Sequence, residues 1–88
     1  MNSRELMKKL DEMPIAKFGS TMDIVGRVHF EALDNAAHTE GVKVYNEFGR
    51  HTDDYYAAWH SSLETILACC DFVTDECCEW YRAEGVRF

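Results

Sequence analysis

Apolar residues in this chain recur at helical spacing, and Gly, Pro and capping residues cut the pattern into segments. Asn2-x-x-Glu5 carries a capping signature that opens a short helix bearing Leu6, Leu10 and Met13, and Pro14 ends it. Phe18-Gly19-Ser20 reads as a turn, with Ser20 or Thr21 placed to cap a second helix from about Met22 to His38. On a helical wheel Met22, Val25, His29, Ala32, Leu33, Ala36 and Ala37 share one broad face. Asp23, Arg27, Glu31, Asp34 and His38 fall opposite, and Asp23–Arg27 and Arg27–Glu31 are pairs of opposite charge one turn apart. Gly26 either weakens this helix, by about 1 kcal/mol relative to Ala, or marks a close approach to another backbone. Gly41 is placed to stop it.

Val42 to Arg50 is ambiguous, a short helix or an ordered connector broken at Gly49, with a trace of strand alternation at Val42–Tyr45. Thr52 then caps the strongest segment, from about Asp53 to Cys70, where Tyr56, Trp59, Leu63, Ile66, Leu67 and Cys70 follow 3-and-4 spacing. Asp53 and Asp54 suit the positive end of its dipole, while His60, Ser61 and Glu64 point away from the seam. Thr74 caps a last helix through Glu84, with Asp75 and Glu76 in its first turn and Gly85 beyond its end. The pattern predicts an all-α fold: one domain over residues 1–88, a small bundle of about four helices, the longest near residues 53–70.

Eighty-eight residues that are 47% apolar and 12% aromatic are too hydrophobic for a disordered chain. A domain of this size buries only about 60% of its unfolded surface. So many large side chains are hard to hide, which makes a homo-oligomer, a dimer first, or a partner subunit the default expectation. A formal net charge of -7 argues against nucleic acid and anionic membrane surfaces as partners. No apolar run approaches a membrane span or the h-region of a secretory signal, so a soluble, cytoplasmic protein with reduced thiols is expected.

Cys69-Cys70 and Cys77-Cys78 are the sharpest chemical signal. Neighbours on a helix diverge by about 100°, and structural zinc sites use C-x2-4-C spacing, which disfavours a four-thiolate site. Three readings stand: small buried hydrophobes at a helix junction, a Cys70–Cys77 disulfide under oxidising conditions, or metal capture by the quartet. Among the histidines, His29 lies on the apolar side of its helix, the place of a hydrogen-bonded core or interface residue rather than a ligand. His29 and His38, nine residues apart, lie on opposite sides of one helix; His51 precedes a cap, and His60 lies on a polar face. No phosphate loop, H-E-x-x-H motif or nucleophile–base spacing is present, so the chain is not expected to be an enzyme, and no bound cofactor is expected. The aromatic set Tyr45, Tyr55, Tyr56 and Trp59 has two readings, a core with phenol hydroxyls at its rim or a contact surface for a partner or ligand.

Glu40-Gly41-Val42-Lys43-Val44-Tyr45-Asn46-Glu47-Phe48 resembles the A-G-V-F-T-W-D-E-F segment of the nitrile hydratase β family. Tyr55-Tyr56-x-x-Trp59, Leu63-Glu64-x-Ile66-Leu67 and Val73-Thr74 follow in that family's order, so the resemblance spans about residues 32–76, with Ala32-Leu33 and His38 also matching. It implies the helical N-terminal region of a β subunit or of a small accessory protein that embraces a nitrile hydratase-like α subunit. In that setting Tyr45, Tyr55, Tyr56, Trp59, Leu63, Ile66, Leu67 and Arg50 would contact the partner or ligand, and any handling of cobalt or iron would follow from the family alone. The chain departs from the pattern at Gly49, where family members often carry an Arg that bonds the oxidised cysteine ligands; Arg50 comes one residue late. The connector before Tyr55 is shorter than usual, and the fold is expected to lack the family's β-barrel half. The expectation is therefore a non-catalytic interaction module, with a free-standing homo-oligomer holding a small ligand in an aromatic pocket as the alternative.

Overall fold

In a computed structural model, the described residues are 2–13, 21–41 and 51–88. They form four helices: α1 (Ser3–Glu12), α2 (Thr21–Glu40), α3 (Asp53–Cys69) and α4 (Asp75–Ala83). No strand forms among the described residues, so the all-α expectation holds. The ambiguous stretch from Val42 to Arg50, with Tyr45 and Arg50, lies outside the described residues.

Local chemistry sets most helix ends. The Asn2 side chain accepts from the Glu5 N–H at 2.9 Å, Thr52 from Tyr55 at 3.1 Å and Thr74 from Cys77 at 3.2 Å. Each satisfies a donor that the first turn of a helix leaves without an internal partner. Gly41 (φ 65°) and Gly85 (φ 98°) adopt the left-handed conformation just past α2 and α4, which a side chain would strain. Replacing Thr52 by Ala is expected to cost about 1 kcal/mol, read as a lower urea midpoint at unchanged slope.

Two sequence expectations need correction. The longest helix is α2, of 20 residues, and not the segment near residues 53–70, where α3 has 17. It continues through Gly26 and past His38, because packing along its length outweighs the small local penalty of one glycine. The buried face of α2 is also rotated from the predicted one: Val25, Val28, His29, Ala32 and Ala36 are buried, whereas Met22 is 37% exposed. Asp23, placed on the polar side by the wheel, is buried instead.

The long antiparallel neighbours α2 and α3 form the centre of the bundle, and α4 packs on α2. Tyr81 anchors α4 there: it is fully buried, and its hydroxyl donates to the Val25 carbonyl at 2.8 Å. Along α3, Trp59, Leu63, Ile66 and Leu67 face inward as the 3-and-4 spacing marks, but Tyr55 is buried where the spacing placed Tyr56, and Tyr56 and Cys70 are only half-buried. α1 lies over this pair with Leu6, Met7 and Leu10 buried beneath it. Its polar residues reach outward to the other helices: Arg4 pairs with Asp53, Ser3 meets His60 Nδ1 at 3.2 Å, and Lys9 pairs with Glu84. No described helix is long and apolar enough to cross a membrane.

Candidate functional site

The aromatic start of α3 turns mostly inward. Trp59 is 0% exposed and meets the His29 ring edge-on at 5.7 Å. Tyr55 is buried too, its hydroxyl donating to the Leu33 carbonyl at 3.1 Å while the His51 ring stacks on it at 4.3 Å. Leu63, Ile66 and Leu67 continue the same core seam. Of the predicted contact residues, Tyr56 alone among those described is half-exposed, and the Arg4 guanidinium sits 5.2 Å from its ring centre. The side chains are thus brought together as expected, but as the interior of one protomer rather than as an open surface. Tyr45 and Arg50 lie outside the described residues.

The cysteines diverge around the α3–α4 corner. Cys69 is exposed, Cys70 and Cys78 are half-buried, Cys77 is buried, and all four are free thiols. Burial pushes the Cys77 thiol up to about 12, with the neighbouring Cys78 adding to it, and burial also raises Cys70. Both therefore stay protonated near neutral pH, and the thiolate is the form that attacks electrophiles or binds soft metals. Among the described residues no three His, Cys, Asp or Glu side chains converge on a point where a metal could sit. Cys69, Cys70, Cys77 and Cys78, which the sequence offers as candidate ligands, belong to no such group.

His29 occupies the core position anticipated for it. It is 1% exposed, and its Nε2 lies 2.8 Å from the Asp11 carboxylate of α1, which is half-exposed at the rim. An ionised carboxylate can only accept, so Nε2 carries the hydrogen and Nδ1 keeps a lone pair. Among the described residues, that Nδ1 and the Trp59 indole N–H have no hydrogen-bond partner. Burial holds the imidazole below its ordinary value, and the hydrogen bond and charge of Asp11 work in the opposite direction. An imidazole on an apolar helix face signalled a partner, but nothing in the local sequence named Asp11, eighteen residues upstream.

What the sequence missed is a second apolar stripe on the outward flank of α2. Phe30 is 47% exposed and Met22 37%, the exposed large hydrophobic residues of the described chain. Met22, Gly26, Phe30, Leu33 and Ala37 succeed one another at 4-, 4-, 3- and 4-residue steps, which align on a helix. Beside them Arg27 stacks over the Phe72 ring at 4.0 Å and pairs with Glu31 at 3.3 Å, giving the stripe a charged border. On the wheel Phe30 falls at the edge of the apolar face, next to Ala37, so the sequence did not mark it as exposed. No family model matches the chain, and neither a curated protein nor a solved structure shows significant similarity to it.

Proposed function

We propose that the chain is a non-catalytic protein-interaction module of the nitrile hydratase β-like accessory kind, and that it meets its partner along the outward flank of α2. The exposed Phe30 carries this reading. A large ring left half in water beside Met22, with Leu33 and Ala37 half-buried along the same line, fits a surface that another polypeptide covers. The aromatic start of α3 supports that flank from inside, because Trp59 packs on His29 and the His29 ring lies 5.4 Å from Phe30. The order and spacing of Tyr55-Tyr56-x-x-Trp59 and Leu63-Glu64-x-Ile66-Leu67 supply the choice of partner, a nitrile hydratase-like α subunit. Cobalt or iron, on this reading, stays with the α subunit, and the cysteines here serve packing.

Co-expression with a nitrile hydratase or thiocyanate hydrolase α subunit tests the proposal. A co-purifying complex is expected, weakened more than about tenfold by Phe30→Asp, since losing a central aromatic contact typically costs 2 kcal/mol or more. The same substitution is expected to change the urea midpoint of the isolated chain far less than it changes binding, because about half of the ring is already in water. Absence of any complex with the unaltered chain would remove the α subunit as partner. A dimer seen by light scattering and dispersed by Phe30→Asp would show instead that a second copy occupies the flank.

A further inference from the structure

α1 is attached differently from the other helices. Its exposed ion pair, Arg4 with Asp53, and its half-exposed pair, Lys9 with Glu84, contribute little, as surface pairs do. Beyond these and the rim contacts of Ser3 with His60, Arg4 with Tyr56 and Lys9 with Trp80, α1 is held by the burial of Leu6, Met7 and Leu10 and by the bond from Asp11 to a histidine sealed in the core. A free ten-residue helix is marginal in water, so α1 keeps its structure only while docked.

We propose that α1 is a strap, closed over α2 and α3 at neutral pH and released on acidification, with the sealed ring of His29 as its latch. A proton taken from solvent would add to the lone pair of Nδ1 and create a cationic N–H. Among the described residues the core offers that N–H no hydrogen-bond acceptor: the ring's aromatic neighbours are Trp59 of α3, at right angles to it, and Phe30 of α2, tilted by 44°. α4 reaches this part of α2 through Tyr81, whose phenol burial holds uncharged and which already donates to Val25. Asp11 from α1 is the described ionisable group acting on the ring, and it faces the opposite nitrogen, half in water. Lifting α1 opens the ring to water, where both N–H groups find acceptors.

The direction follows from linkage. Closed His29 holds its proton less tightly than released His29, so closure is fully favoured above the ordinary imidazole value of 6.5 and is lost as pH falls below it. Each unit by which burial lowers the ring gives up to about tenfold more release at acid pH.

Backbone hydrogen exchange on the full chain at pH 7.5 and pH 5.0, corrected for the chemical exchange rate, separates local release from unfolding. Protection in α1 is expected to fall several-fold more than protection in α3, and His29→Met, which keeps an apolar side chain of similar size, is expected to abolish that difference. Loss of protection in both helices together would overturn the proposal. So would a difference that survives in His29→Met, which would pass the response to His60, the other imidazole on the path of α1, paired with Ser3 and Glu64. Should His29→Met not fold, Asp11→Asn decides. The acid response persists in it if His29 is the latch, and disappears if a carboxylate is.

Discussion

Truncating Trp59 to Ala is expected to cost about 3–5 kcal/mol, the range for deleting a fully buried large aromatic side chain. Native domains hold only about 5–15 kcal/mol in total, so the variant loses a large part of its stability and its urea midpoint falls correspondingly. The indole is 0% exposed and lies between α2 and α3, the closest-packed pair of the bundle, so little of the cavity can collapse. Urea unfolding followed by far-UV circular dichroism gives the number. The result also separates two roles for this ring. A residue that serves a partner surface can be removed with little effect on the isolated chain, whereas a core residue cannot. A loss under about 1 kcal/mol would contradict the packing described here. Trp59→Phe is expected to cost much less than the Ala variant, because it keeps most of the ring and removes an indole N–H that has no partner among the described residues.

A series at Tyr81 has the second largest expected effect and separates packing from hydrogen bonding. Tyr81→Phe removes only the bond to the Val25 carbonyl, 2.8 Å long, and is expected to cost about 0.5–1.5 kcal/mol. That carbonyl lies within α2, where the helix ladder supplies a donor of its own. Tyr81→Ala removes the side chain that fixes α4 to α2 and is expected to cost about 3–5 kcal/mol. The same melts read both. If Phe proved as damaging as Ala, the anchor would be the hydroxyl and not the ring. If both were neutral, α4 would not be docked as described.

The helix ends were legible because they are made locally. A threonine three residues ahead of a backbone donor caps a helix whatever the rest of the chain does, as Thr52 and Thr74 do. Gly85 ends α4 and Gly41 ends α2 for an equally local reason. The inward face of α3 was legible too, since Trp59, Leu63, Ile66 and Leu67 leave one unbroken stripe. α2 was harder. Its apolar residues cover more than half its circumference, so periodicity fits several rotations, and only the positions of α3 and α4 select the one that buries Val28 and exposes Met22.

The candidate site shows the same division. The sequence brought Tyr55, Tyr56 and Trp59 to the start of one helix, but a ring at a helix start looks alike whether water, a partner or a neighbouring helix lies against it. Burial is a property of distant segments meeting, and here α2 covers two of the three. The half-exposed ring of Phe30 became evident only by the same comparison.

By itself, then, the order of residues determined that this chain is helical, where its helices begin and end, and which side of α3 seeks an interior, because each of those rests on chemistry within four residues. Tertiary structure alone decided which face of α2 is left to water and that Asp11 reaches His29. It also decided that Trp59 belongs to the core. Those outcomes depend on side chains from separate helices competing for the same limited interior, and no local pattern ranks them.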